Sequence, residues 1–122
     1  MNRWTLLKHE RMNDQIFDVH YDFLLENGQD CKTWKLLILP KLDGPSVEIF
    51  NHSNHRLIWL TIESKRLTRN RGYVQRVDKG VFKPLGVDID SNDFSIILKG
   101  EYINGLFKKN ANLCQLISLI NE

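Results

Sequence analysis

The residues best suited to chemistry in this sequence are two histidines and an aspartate in its first quarter. His20 and Asp22 lie two positions apart in a run of aromatic and apolar residues that predicts a β-strand over 19–26. Because side chains alternate between the faces of a strand, both point to one face, while most of the apolar residues point to the other. His9 ends a preceding strand predicted over 3–8. If these two strands pair, His9 lies near His20.

Two imidazoles and one carboxylate form a ligand set for a divalent metal ion, with coordination positions left for water and substrate. Manganese, zinc and iron all accept such ligands. The alternative is that His20 and Asp22 belong to an ordinary polar strand face. The pairing of the first two strands is itself a prediction, and the metal site depends on it.

Two further histidines, His52 and His55, lie in the polar segment 51–55, just before a predicted strand. This segment is either a surface loop or the source of a phosphate ligand or proton donor, because imidazole titrates near neutral pH. No other catalytic pattern competes. The sequence has no Gly-x-Ser-x-Gly elbow and no Walker-type glycine loop, and nothing around Cys31 indicates an activated thiolate.

The net charge of +2, from 17 basic and 15 acidic residues, hides an uneven distribution. Residues 65–83 carry 7 basic and 1 acidic side chain, whereas the segments before and after are each net −2. This basic block is either a solvated loop and strand face or a surface that contacts the phosphates of nucleic acid. The candidate phosphate-contacting residues in it are Arg66, Arg69, Arg71 and Arg76.

Length and composition favour one globular domain over residues 1–122, with 42% hydrophobic and 26% charged residues. Purely apolar runs such as 36–39 reach only four residues, far fewer than a membrane span needs, and the N-terminus has no signal-peptide pattern. Cys31 and Cys114 form neither a disulfide framework nor a metal motif. We therefore expect buried free thiols in a cytoplasmic protein.

Short β-type runs separated by turn signals recur along the chain and predict a mainly β fold with little helix, a single-domain antiparallel β-barrel. Segments 10–18 and 64–72 are predicted as long polar loops. Segment 113–120 fits either a helical stripe or a buried strand, and the strand is favoured. The remaining predicted strands cover 32–39, 47–50, 56–62, 94–99 and 101–107, with a hairpin of 73–77 and 81–83 around a turn at 78–80.

Five motifs follow one another in the first two thirds of the chain. The two longest are His20-Tyr21-Asp22-Phe23-Leu24-Leu25-Glu26 and His55-Arg56-Leu57-Ile58-Trp59. The others are an opening strand that ends in His9, Thr33-Trp34, and a segment containing Arg71-Gly72 and 76–82. In this order the motifs resemble the 3′-phosphoesterase domain of bacterial DNA ligase D, especially its small free-standing relatives, and the resemblance extends from Trp4 to about Lys83.

The resemblance implies a small β-barrel that uses a metal, typically manganese, to remove 3′-phosphates or 3′-terminal ribonucleotides from nucleic-acid ends during DNA end repair. By this resemblance His9, His20 and Asp22 match the metal ligands, and His55 matches the histidine that contacts the scissile phosphate. Lys35 is one candidate for the family's phosphate-side lysine. A ligase or polymerase partner, if one exists, is expected as a separate chain.

The sequence departs from the family pattern on the phosphate side of the site. Leu24 stands where the ligase domain has an arginine, Trp59 where it has a tyrosine, and Ser53 where it has an acidic residue. The alternative function is therefore a catalytically weakened or inactive barrel that binds nucleic acid through the 65–83 block. A metal-binding or protein-interaction domain without nucleic acid is the third possibility.

Overall fold

The computed structural model describes residues 2–119, which form one antiparallel sheet and a single short helix of the 3₁₀ type, Leu57–Leu60. The prediction of a mainly β fold with little helix is confirmed. No helix in the described part of the chain is long and apolar enough to cross a membrane. The strands are β1 (Arg3–Asn13), β2 (Ile16–Asn27), β3 (Asp30–Leu36), β4 (Val47–Glu48), β5 (Phe50–Arg56), β6 (Ser64–Arg66), β7 (Tyr73–Pro84), β8 (Phe94–Gly100), β9 (Asn104–Asn110) and β10 (Leu113–Ile117).

The strand order is β4-β10-β9-β8-β7-β1-β2-β3-β5, and β6 pairs with β7 beside this path. The two edge strands, β4 and β5, are separated along the chain by Ile49 alone. The polypeptide therefore connects both edges of the sheet, but no strand pairing closes it within residues 2–119. The predicted barrel is more accurately an open sheet whose edges are joined through Ile49.

Apolar side chains collect in two clusters because the strands at the centre of the sheet are covered on both faces. Phe23 and Leu25 of β2 enter a large aromatic cluster, whereas Leu24 between them enters a smaller one. The large cluster includes Trp4, Trp34, Phe94, Ile96 and Phe107. The small apolar cluster consists of Leu7, Leu24, Cys31, Leu60 and Val74.

The two cysteines are buried and free, as expected. Burial raises the pKa of Cys31 to about 11 and that of Cys114 to about 12. Both thiols are therefore protonated at neutral pH, which removes them from the candidate nucleophiles.

The long polar loop predicted over 10–18 is wrong, because β1 and β2 continue through most of it. Only Asp14 and Gln15 remain between the strands, with φ of 48° and 67°. Positive φ at both central residues is the condition for the tight type I′ hairpin turn. The ends of β1 and β2 at this hairpin are rich in polar residues, and this composition led to the prediction of a loop. The second predicted loop, 64–72, is also shorter, because it contains β6.

The hairpin predicted around residues 78–80 is also wrong, since β7 runs unbroken through them. Gly80 serves close strand packing, because a Cβ there would overlap the carbonyl oxygen of Lys99 on β8. Asp78 is buried and does not begin a turn of its own. Its carboxylate accepts hydrogen bonds from the backbone N–H groups of Lys79, Glu101, Tyr102 and Ile103, at 2.8, 3.0, 3.1 and 2.7 Å.

The strand predicted over 56–62 is replaced by the end of β5 and the 3₁₀ helix. The spacing of three between Leu57 and Leu60 suits this helix, in which such residues share a face, and both pack in or against the small apolar cluster. Thr61 closes it by donating from its backbone N–H and its hydroxyl to the Ile58 carbonyl, at 3.0 and 2.8 Å.

The other strand predictions hold with shifted ends. Segment 113–120 is a strand as favoured, ending at Ile117, and Ile120 lies outside the described residues. The strand predicted over 32–39 ends at Leu36, the last residue of β3 that pairs with β2, and the exposed Leu37 and Ile38 leave the sheet. The strand predicted over 47–50 is split at Ile49, and those over 94–99 and 101–107 are β8 and β9.

Replacing Asp78 by asparagine should destabilise the fold strongly. The amide keeps one acceptor oxygen but places an NH₂ group against two backbone N–H donors that are held near it. With hydrogen bonds to a charged acceptor contributing about 1.5–3 kcal/mol each, we expect Asp78→Asn to lower the free energy of unfolding by about 3 kcal/mol. Urea denaturation measures this, with the exposed Asp18→Asn as the matched control. Equal effects of the two variants would contradict the assignment.

Candidate metal centre

Two paired strands bring the predicted ligands together. In the register of β1 and β2, His9 lies directly opposite His20, and Asp22 follows two residues later on the same face. The two imidazole rings are 4.8 Å apart at their centroids, with planes inclined at 66°. One ligand atom from each of His9, His20 and Asp22 lies within 4.8 Å of the others. The three side chains therefore form a group that could hold a metal ion.

His9 is oriented by a backbone carbonyl outside the hairpin. Its Nε2 lies 2.7 Å from the carbonyl oxygen of Arg71. Since a carbonyl only accepts hydrogen bonds, Nε2 must carry the proton, which leaves the lone pair of Nδ1 for a metal. Metal-binding histidines typically donate a hydrogen bond from the ring nitrogen that does not bind the metal, because this bond fixes the tautomer and the ring orientation.

The most direct sign of a metal site is a pair of buried polar atoms that face each other without an aligned hydrogen bond. His20 Nε2 and Asp22 Oδ1 approach to 3.3 Å, but neither atom makes an aligned hydrogen bond within the described residues. Leaving buried polar atoms unsatisfied costs about 1–3 kcal/mol each. A divalent cation bound between them would satisfy both, so the donor set and its environment fit a metal.

Charge at the centre also suits a cation. Burial alone would raise the pKa of Asp22, but His20 beside it, with the nearby His55 and His52, holds this pKa below its ordinary value. The carboxylate is therefore ionised at neutral pH, in the form that binds a metal.

A cavity of about 380 Å³ opens beside the ligands. Of the ten residues that line it, one is acidic, Asp22, and three are basic, Arg56, Lys65 and Arg71. This site cavity thus combines a metal-binding carboxylate with a positive rim, as expected for a site that accepts a phosphate. Its remaining lining residues are His9, His55, Trp59, Leu67, Thr68 and Val74.

His55 lies in the cavity wall with its protonation state defined by its neighbours. Its Nδ1 donates to the Ser53 carbonyl at 3.0 Å, so the Nε2 lone pair is available. Burial lowers the pKa of His55, which keeps the ring neutral at pH 7. Its ring stands edge-on to Trp59, with centroids 5.9 Å apart. His55 can therefore accept a proton or a hydrogen bond, and a nearby phosphate anion would favour its protonated form.

The other predicted phosphate-contacting residues are spread over several surfaces. Arg66 stacks its guanidinium over the Tyr73 ring at 5.8 Å and does not line the site cavity. Arg69 is exposed in the turn after β6, with a φ of 57°. Lys35 of β3 lies opposite Asp22 in the sheet, without an ion pair to it in the described residues. Among the four predicted arginines, Arg71 alone lines the site cavity.

Arg76 belongs to a different cleft. Its Nη2 pairs with Glu63 Oε1 at 3.2 Å, and it lines an open cleft of about 750 Å³ together with Arg3 and Lys79. Side chains alternate between the two faces of a strand, and in β6 this alternation puts Lys65 in the site cavity but not the adjacent Arg66. Lys65 and Arg56 were not predicted as site residues. Lys65 lies in β6, within the segment predicted as a loop, and recognising this strand would have indicated which face Lys65 occupies.

Leu24 is completely buried in the small apolar cluster beneath the site. The position that the resemblance matches to an arginine of the ligase domain therefore contributes packing in this protein.

Metal binding should stabilise the fold through this ligand group. A ligand present at 100 times its dissociation constant raises the free energy of unfolding by about 2.7 kcal/mol. Thermal unfolding with Mn²⁺ or Zn²⁺ should show this stabilisation in the wild type and lose it in His20→Ala and Asp22→Asn. The exposed His52→Ala, outside the ligand group, is the control. An undiminished metal effect in His20→Ala would exclude the proposed ligands.

Replacing Leu24 by the arginine of the ligase domain should destabilise the protein instead of restoring a phosphate clamp. A guanidinium inserted among Leu7, Cys31 and Leu60 must lose its hydration there, so we expect a loss of about 3 kcal/mol or more in unfolding free energy. Leu37→Arg at a position 53% exposed is the matched control for urea denaturation. Similar stability of both variants would show that residue 24 can reach solvent.

No family model and no curated protein matches this chain. The geometry of the site and the resemblance of its motifs are therefore the grounds for assigning a function.

Proposed function

We propose that this protein is a metal-dependent phosphoesterase that acts on the 3′ ends of nucleic acids, removing a 3′-phosphate or a 3′-terminal ribonucleotide in DNA end repair. The observation that carries the proposal is the juxtaposition of the His9, His20 and Asp22 group with a cationic cavity. The unpartnered His20 and Asp22 atoms support metal binding, and the cavity rim supports an anionic substrate.

Manganese is the proposed metal, on the basis of the family resemblance, although zinc and iron suit the same two nitrogens and one oxygen. His9, His20 and Asp22 would hold it. When bound, it would act as a Lewis acid on a phosphate oxygen and lower the pKa of water.

The cavity residues would do the remaining work. Lys65, Arg56 and Arg71 attract and orient the phosphate by their charge, in a site partly shielded from water. Arg71 is itself oriented, because its Nε and Nη2 donate to the Thr68 carbonyl and hydroxyl, both at 3.1 Å. His55 would take a proton from solvent at its free Nε2, in the form that a nearby phosphate anion favours. Its Nε2–H would then donate a hydrogen bond to the phosphate and transfer that proton to the leaving oxygen.

A second candidate function is nucleic-acid binding without hydrolysis. It is favoured by the burial of Leu24, which removes the family's arginine from the phosphate side. Arg66 and Arg69 outside the site cavity would then contact the backbone of a longer nucleic acid.

Phosphate release from a 3′-phosphorylated oligonucleotide in Mn²⁺ tests the proposal. The His20→Ala/Asp22→Ala double variant should reduce the rate at least 100-fold, because two of three ligands are lost, while His52→Ala should retain it. Equal rates in the wild type and the double variant would exclude the phosphoesterase for this substrate. Salt-dependent oligonucleotide binding without any release would instead support the second candidate.

A further inference from the structure

Trp59 differs from the other tryptophans of this protein in its environment. Trp4 and Trp34 are each 1% exposed and belong to the large aromatic cluster. Trp59 is partly exposed and lines the site cavity together with His9, Asp22 and His55. A large aromatic ring in the wall of a polar, cationic cavity needs an explanation beyond packing of the core.

The position of the Trp59 ring is fixed by its neighbours. It packs against the small apolar cluster on one side and borders the cavity on another. The 3₁₀ helix that carries it is anchored by the buried Leu60 and closed by Thr61. The edge-on His55 ring further restricts it. The ring therefore offers a flat apolar surface that is already ordered in the free protein, so a ligand that binds to it loses little affinity to the conformational entropy of the side chain.

A cation already lies over this ring. Lys65 Nζ is 5.7 Å from the Trp59 ring centroid, and both residues line the cavity. A cation–π contact of an exposed lysine such as Lys65 is weak and readily exchanged, at about 0.5–1 kcal/mol. The lysine can therefore move to a phosphate while a planar group occupies the ring face.

We propose that Trp59 is the stacking platform for the nucleobase of the 3′-terminal nucleotide, with Lys65 moving from the ring face to that nucleotide's phosphate. This inference rests on the proposed function and specifies its substrate. Every base has a π-face, so the platform would accept all four bases. A cavity of about 380 Å³ is at the small end of ligand sites, at the scale of one nucleotide. The substrate end is therefore single-stranded or frayed.

Binding of adenosine 3′-monophosphate in EDTA, where hydrolysis is blocked, tests the platform. Because the other two tryptophans are buried, quenching of tryptophan fluorescence on binding reports Trp59. If one base stacks on Trp59, Trp59→Leu, which removes the aromatic ring, should lower the affinity about tenfold. Trp59→Phe, which keeps an aromatic ring, should lower it by less than about threefold. Tyr102→Leu, at a position 79% exposed outside the site cavity, is the matched control and should bind as the wild type does.

Ribose 5-phosphate, which has a phosphate but no base, should bind Trp59→Leu and the wild type equally. The platform is overturned if the wild type does not bind adenosine 3′-monophosphate, or if Trp59→Leu weakens both ligands alike or neither. Should Trp59→Leu not fold, the tryptophan fluorescence of the wild type decides the point. Adenosine 3′-monophosphate should quench it and ribose 5-phosphate should not, whereas equal quenching by both ligands, or quenching by neither, overturns the platform. Phosphate release in Mn²⁺ is scored separately. Base-dependent binding without release supports the platform and contradicts hydrolysis, whereas release that is equal for base-bearing and abasic ends contradicts the platform alone.

Discussion

The register between β1 and β2 is the constraint on which the site depends. Ten consecutive residue pairs, from Trp4 opposite Leu25 to Asn13 opposite Ile16, place His9 across from His20. A shift by one residue would move every side chain of one strand to the other face and separate the imidazoles. Two features fix the register, the two-residue turn at one end and the edge-on packing of Trp4 against Phe23 at the other, with centroids 6.0 Å apart.

The small apolar cluster joins the metal side of the site to the phosphate side. It packs beneath β2 and supports the 3₁₀ helix, which carries Trp59, and Leu67, which precedes the turn containing Arg71. Arg71 then contributes to both sides at once, since its carbonyl accepts from His9 while its side chain lines the cavity. The position of Arg71 thus both orients the metal ligand His9 and places a positive charge at the cavity for the substrate. Loss of packing in this cluster would disturb both.

Strand periodicity and motif order were sufficient to predict the His9, His20 and Asp22 group and the mainly β fold. They failed where tertiary contacts override local signals. Asp78 and Gly80 look like a turn, yet they lie within β7 because one caps the β8–β9 connection and the other permits close strand approach. The run 57–60 has strand composition, but packing on the small apolar cluster favours a 3₁₀ helix. Local sequence also could not show that Lys65 lines the site cavity while Arg66 stacks on Tyr73. The two residues face opposite sides of β6, and this segment was predicted as a loop.

An NMR titration of the histidine ring nitrogens with Mn²⁺ tests the metal centre directly. A paramagnetic ion broadens nuclei close to it, so the ring signals of His9 and His20 should be lost first, those of the nearby His55 later, and that of the exposed His52 last. Before metal is added, His9 should show the tautomer protonated at Nε2, as its contact with the Arg71 carbonyl requires. Broadening of His52 alone, or a His9 ring protonated at Nδ1, would contradict a metal centre formed by His9, His20 and Asp22.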